Sequence, residues 1–292
     1  MTQHGDAGAP ASAAEVVGVL GGGTMGSGIA HVLLAAGMRT VLVEVDEQAL
    51  ERAAGLVRRS LTGAADRGKL SADPDDLMSR LEATTQRAAL SDCSLVIEAV
   101  PEILSLKRQL LAEVEGHLAE TAVLATNTSS LSLADLASGL TDRKRFLGLH
   151  FFNPVPASAL VEIVRLESTA PGAVHRAQQL VEALGKEMIT VADSPGFATS
   201  RLGVVLGLEA IRMLESGVAS AEDIDRGMQL GYRHPMGPLR LTDLVGLDVR
   251  LGIAEYLWEK LGPRFEPPPL LRSMVAEGKL GKKSGEGFYR WA

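Results

Sequence analysis

Over the first two thirds of the chain, apolar residues dominate short runs at 16–20, 40–44, 95–100, 123–127, 146–151, 161–164 and 188–191. Between these runs they recur at helical spacing. The stretch 29–36 is amphipathic, and the long stretch 47–68 sets Leu50, Ala54 and Val57 opposite its charged residues. Arg58, Arg59, Arg67 and Lys69 give that second helix a basic tip. Short apolar strands alternating with helices predict a parallel sheet covered on both faces. Near Asp193-Ser194-Pro195-Gly196-Phe197 the pattern changes. Strands cease, and the remainder reads as helices punctuated at Pro235-Met236-Gly237-Pro238, Pro267-Pro268-Pro269 and Gly285-Glu286-Gly287. One of these helices, at 202–214, carries Leu202, Val205, Leu208, Ile211 and Met213, which serve either an internal core or a second subunit. Ser220-Ala221-Glu222-Asp223 reads as the capping box of the next.

The first apolar run ends in Gly21-Gly22-Gly23-Thr24-Met25-Gly26. Gly21, Gly23 and Gly26 occupy the G-x-G-x-x-G positions, where the lack of a side chain permits a tight turn, close approach of phosphates and close packing of the following helix. An anion held in such a turn meets a helix N-terminus. The strand at 40–44 ends in Glu44, roughly 20 residues beyond the glycines, the spacing that ribose recognition requires. Its carboxylate accepts hydrogen bonds from ribose hydroxyls and repels a 2′-phosphate. The following Val45-Asp46-Glu47 offers no arginine to receive one, so the pattern calls for NAD rather than NADP. The expected architecture is α/β. A Rossmann-type dinucleotide-binding domain covers 15–194, a smaller all-α domain covers 195–292, and residues 1–14 form a flexible tail.

Composition narrows the class further. A chain of 292 residues with 46% hydrophobic content has room for substantial cores, and its net charge of −7 gives no general attraction for nucleic acid or anionic membranes. The stretch 1–14 lacks both a hydrophobic signal core and the arginines of a transit peptide. No apolar run is long enough to span a bilayer, so a soluble, cytoplasmic protein is expected. The single cysteine, Cys93, excludes an intramolecular disulfide framework and reads as a small residue at the edge of the core. The six histidines show no paired metal-ligand spacing, and no metal is expected.

A nucleotide-binding half joined to a helical half suggests a dehydrogenase, which needs a proton acceptor near the nicotinamide. His150 lies near the end of an apolar strand in His150-Phe151-Phe152-Asn153-Pro154-Val155-Pro156, at the sheet edge where ligands bind. Glu162 begins the next strand after a Pro-bounded loop, so the chain can turn back and set this carboxylate against the imidazole. Asn127-Thr128-Ser129-Ser130 adds compact hydrogen-bonding groups after another strand. Read singly, each has an ordinary alternative: a structural histidine and glutamate, and a Ser/Thr cluster that caps a helix.

Taken together with Gly21 to Gly26, Asn127 to Ser130, His150 to Val155, Asp193 to Phe197, Pro235 to Pro238 and Gly281-Lys282-Lys283-Ser284-Gly285-Glu286-Gly287-Phe288, nearly all of the chain resembles the L-3-hydroxyacyl-CoA dehydrogenases, including bacterial 3-hydroxybutyryl-CoA dehydrogenases. The resemblance implies NAD as cofactor, an acyl-CoA as substrate and a homodimer. It implies His150 as general base with Glu162 as its partner, and Ser129 bonding the reacting oxygen. Asn153 would lie beside the nicotinamide, with Glu102, Lys107 and Lys283 also near the cofactor. Ser60 matches a CoA-contacting serine, and Arg67 stands where the family usually has lysine. Ser200 replaces a common active-site asparagine. Its hydroxyl either donates one hydrogen bond to the substrate oxygen or merely packs at a helix start. The alternatives left open are a dehydrogenase for a free hydroxy acid or sugar acid, and a non-catalytic nucleotide-binding relative.

Overall fold

The computed structural model describes residues 15–291, so the expected tail at 1–14 lies outside the described residues. The chain forms two compact units, one ending at Asp193 and the other beginning at Ser194. In the first, β1 (Val16–Leu20), β2 (Arg39–Val43), β3 (Leu81–Thr84), β4 (Leu95–Glu98), β5 (Val123–Thr126), β6 (Phe146–Phe151), β7 (Leu160–Arg165) and β8 (Glu187–Ala192) make one sheet, ordered β3-β2-β1-β4-β5-β6-β7-β8. Helices α1 (Thr24–Ala35), α2 (Glu47–Ala65), α3 (Pro74–Met78), α4 (Leu104–Glu115), α5 (Leu133–Leu136) and α6 (Pro171–Ala183) occupy the connections. The strand order reverses between β1 and β4, which is the Rossmann-type switch point where a crevice opens at the carboxyl ends of the strands.

Register decides what reaches that edge. Leu20 pairs with Val43 on one side and Glu98 on the other, Glu98 with Thr126, and Thr126 with Gly148. These residues form one row, so the turns after β1, β2, β4 and β5 open side by side. Val17, Val19, Ile97, Ala125 and Leu149 pack beneath the row against Ile29 and Leu33 of α1 and Leu180 of α6. Each fully buried aliphatic side chain contributes about 1.5–3 kcal/mol. A smaller cluster joins Ala30 and Leu34 of α1 to Val57 and Leu61 of α2. Buried Cys93 sits beside this sheet with its thiol pushed up to about 12, chiefly by desolvation.

The first unit departs from the expected pattern in three places. The edge strand β3 pairs in parallel with β2, yet its Leu-Glu-Ala-Thr sequence is half exposed and too poor in apolar residues to announce a strand. Strand β7 runs antiparallel to β6, so the sheet is mixed. Helix α2 stops at Ala65, three residues short of Gly68, whose φ of +66° turns the chain away.

The second unit consists of α7 (Thr199–Glu215), α8 (Ala221–Gly231), α9 (Pro238–Val245), α10 (Leu247–Leu261) and α11 (Pro269–Ala276). Leu208 and Ile211 of α7 enter its core with Leu239, Leu257 and Leu271, whereas Leu202 is exposed. Ser220 caps α8 by accepting the Asp223 N–H at 3.1 Å. Two buried carboxylates tie the unit together. Asp225 accepts the Leu239 and Arg240 N–H groups at the start of α9, and Asp243 accepts those of Phe288 and Tyr289 and the Trp291 indole. A Cβ on Gly237 would lie 2.2 Å from the Asp225 carboxyl carbon, so the Pro235–Pro238 motif serves this packing.

Candidate active site

The turn after β1 meets the requirements for an anion cradle. Gly21 has φ +92°, and a Cβ on Gly26 would strike the Gly21 carbonyl oxygen at 1.7 Å, which fixes glycine at both positions. Gly23 is the N-cap of α1 and has no side-chain cap, and the first turn, Thr24, Met25 and Gly26, holds no acidic residue. A Cβ there would meet nothing within 4 Å. The helix N-terminus therefore borders open space, an environment that suits a negative ligand. Beside it, Glu44 accepts the Gly22 N–H at 2.6 Å and the Val45 N–H at 3.0 Å. These bonds fix the carboxylate at the turn, with lone pairs left for hydroxyl donors.

The next two strand ends carry a network that was not expected from the sequence. Glu98, the last residue of β4, is fully buried and accepts from Lys107 Nζ at 2.7 Å, Thr126 Oγ1 at 2.6 Å and the Val100 N–H at 2.7 Å. Lys107 also lies 3.3 Å from Glu102. Glu102 in turn accepts from Thr128 Oγ1 at 2.6 Å and from the Ser129 N–H at 2.9 Å. Lys107, expected beside the cofactor, has no exposed surface and pairs with both Glu98 and Glu102. Glu102 keeps 35% exposure and stands at the edge itself. The signal for Glu98 was a lone carboxylate inside the apolar run Leu95 to Val100.

His150 lies two residues beyond Gly148 on β6. The antiparallel register pairs it directly with Glu162, putting both side chains on one face. Nδ1 and Glu162 Oε2 are 2.9 Å apart, with Glu162 fully buried and His150 6% exposed. A carboxylate on Nδ1 holds that nitrogen as the donor, which leaves Nε2 as the acceptor. The Phe152 ring packs 4.4 Å from the imidazole. The loop that follows carries exposed Asn153. Lys186 anchors it by donating to the Val155 and Ser158 carbonyls. Asn127 Oδ1 accepts the Phe151 N–H at 2.9 Å, so the turn after β5 holds the end of β6.

Ser60 and Arg67 lie at the far end of α2 and just beyond it. Ser60 Oγ is 2.8 Å from Nδ1 of His31, a buried residue of α1. Desolvation, then the charges of Lys186 and Arg67, lowers the His31 imidazole to about 4. It is thus neutral at ordinary pH and orients the serine without adding charge, while Arg67 stays exposed. In the second unit, Ser200 occupies the first turn of α7 and Lys283 pairs with Asp248 at 2.6 Å.

Residues 16–194 match the family described as 3-hydroxyacyl-CoA dehydrogenase, NAD binding domain, and residues 196–291 match the C-terminal domain of that family. The chain belongs to the 3-hydroxyacyl-CoA dehydrogenase family. It is an oxidoreductase fold whose first unit binds NAD. Among its relatives, a 3-hydroxybutyryl-CoA dehydrogenase of Mycobacterium tuberculosis is 43% identical, over 96% of this chain and 99% of the relative. The mitochondrial hydroxyacyl-coenzyme A dehydrogenase of Rattus norvegicus is 40% identical, over 94% and 90%. The crystal structure of an (S)-3-hydroxybutyryl-CoA dehydrogenase from Ralstonia eutropha superposes with a TM-score of 0.91 at 39% identity, covering 96% of this chain and 99% of that one.

Proposed function

We propose that this dehydrogenase catalyses the reversible NAD-dependent oxidation of (S)-3-hydroxyacyl-CoA to 3-oxoacyl-CoA, with short thioesters such as 3-hydroxybutyryl-CoA as substrates. The observation that carries the reading is the His150–Glu162 pair at the carboxyl edge of a sheet whose first turn is an anion cradle. Bound NAD supplies the hydride acceptor. Nε2 of His150 takes the proton of the 3-hydroxyl, and the buried Glu162 carboxylate stabilises the imidazolium that results. Ser129, held by Glu102 through its N–H and its hydroxyl, bonds the reacting oxygen, and Ser200 takes the role of the family's active-site asparagine. Glu44 receives the ribose hydroxyls, and Asn153 and Glu102 border the nicotinamide. Ser60 and Arg67 receive the CoA, with Arg67 as its fixed cation. Lys283, tied to Asp248, keeps the cofactor role that the family resemblance implies.

The enzyme acts in the cytoplasm in fatty-acid β-oxidation or a related acyl-CoA route, as a homodimer joined through the helical unit. No helix among the described residues is long and apolar enough to cross a membrane. Exposed Leu202, Leu206, Leu241, Leu244 and Val249 supply an apolar surface for a second copy. The test of the activity is the loss of NADH absorbance with acetoacetyl-CoA, run beside NADPH and free acetoacetate. NADH consumption that depends on the thioester is expected. Turnover of the free acid, or of neither compound, would overturn the proposal.

A further inference from the structure

Three charged groups meet at the edge of the first unit's sheet. The anion cradle follows β1 and Glu44 follows β2, so a dinucleotide lying across the switch point extends its nicotinamide half over the ends of β4 and β5, toward His150 on β6. Glu98 closes β4, Glu102 lies in the turn that follows, and Lys107 reaches both carboxylates from α4. All three therefore belong to the nicotinamide side.

Their charges do not cancel. Lys107 and Glu98 are fully enclosed and 2.7 Å apart, so each neutralises the other at close range. Glu102, 3.3 Å from the same ammonium, is a second carboxylate on one cation. Its other partners are neutral donors, the Thr128 hydroxyl at 2.6 Å and the Ser129 N–H and hydroxyl at 2.9 and 3.3 Å. The other partners of Glu98, the Val100 N–H and the Thr126 hydroxyl, are neutral as well. The cluster thus carries one net negative charge, and Glu102, at 35% exposure, presents it at the edge. Glu44 stands on the far side of the cradle, and Glu162 is engaged by His150.

A negative charge at this place acts differently on the two cofactor forms, because the oxidised nicotinamide ring is positively charged and the reduced ring is neutral. We infer that the Glu98, Lys107 and Glu102 cluster selects the redox form of the cofactor, its unbalanced Glu102 carboxylate strengthening NAD+ relative to NADH, a selection that rests on the proposed placing of Glu102 at the nicotinamide. Burial of Glu98 and Lys107 keeps salt from screening the balance between them.

The test is calorimetric titration of NAD+, NADH and ADP-ribose, which lacks the nicotinamide, into the wild-type protein and into Glu102→Gln and Glu102→Asp. Glu102→Gln keeps a carbonyl acceptor for Thr128 and Ser129 and removes the charge. The ratio of the NAD+ Kd to the NADH Kd should then rise on the order of tenfold, the effect of one unit charge a few ångströms from another at a partly solvated edge. ADP-ribose should bind as it does to the wild type. Glu102→Asp retains the charge and should hold the wild-type ratio, even where both forms bind more weakly. Equal weakening of NAD+ and NADH in Glu102→Gln would overturn the inference and leave Glu102 an ordinary contact. A ratio that shifts as far in Glu102→Asp as in Glu102→Gln would overturn it too, since shape rather than charge would then decide. Unchanged affinities for both forms in Glu102→Gln would remove the placing of Glu102 at the nicotinamide along with the inference. None of these readouts needs turnover, so they stand apart from the thioester assay.

Discussion

Replacing Lys107 by Met removes one half of a fully buried ion pair. Lys107 and Glu98 both have no exposed surface and lie 2.7 Å apart. Losing one member of such a pair costs about 3–5 kcal/mol, because the remaining charge stays buried without a counter-ion. Glu98 keeps two donors, the Val100 N–H and Thr126 Oγ1. Those bonds offset part of the loss and put the expected cost near 3 kcal/mol, at the lower end of that range. Neutralising both partners, as Glu98→Gln with Lys107→Met, leaves no orphaned charge and should recover at least half of it, a coupling of about 1.5 kcal/mol or more. Both tryptophans, Trp258 and Trp291, lie in the second unit, so fluorescence does not report on this site. Urea unfolding followed by backbone circular dichroism is the suitable assay. A single variant within about 1 kcal/mol of wild type, or a double variant no more stable than the single, would show that the pair does not hold the β4 and β5 ends as argued.

His150→Gln should lower kcat roughly 10²–10⁴-fold while NADH titration is unchanged, and an equal loss of cofactor binding would make the histidine structural. Glu44→Ala should weaken NADH by about 1.5–3 kcal/mol, roughly tenfold to a hundredfold in Kd, since it removes a charged acceptor that also holds Gly22. An unaltered titration would refute that assignment. His31 is neutral in the fold down to about pH 4, whereas in the unfolded chain it takes a proton near 6.5. The unfolded state thus binds the extra proton between these values, and stability falls as pH drops from about 6.5 to about 4, by up to about 3 kcal/mol. His31→Gln should flatten that part of the stability profile, as read by urea midpoints at pH 7 and pH 4.5, and an identical slope would exclude the histidine as its source.

The parts of the site legible in the sequence were those carried by neighbours in the chain. Gly21 to Gly26 specify the turn because each bare Cα is needed within one loop. Glu44 follows from its place at the end of the next strand, and His150 with Glu162 from a loop short enough to fold back. Edge strand β3 was illegible because its half-exposed residues carry no apolar run. Lys107 was placed beside the cofactor by likeness alone, and its ion pair with Glu98 leaves its side chain no exposed surface.

Apolar period and glycine spacing were sufficient for a Rossmann-type sheet followed by a helical unit, and for an anion-binding first turn, because those features depend on local backbone geometry. Tertiary packing alone set Glu98 against Lys107 and His31 against Ser60. Each of these contacts joins residues on different elements, so sheet register and helix packing, rather than spacing along the chain, determine which polar group meets which. A buried charge gains a partner only once those surfaces have closed around it.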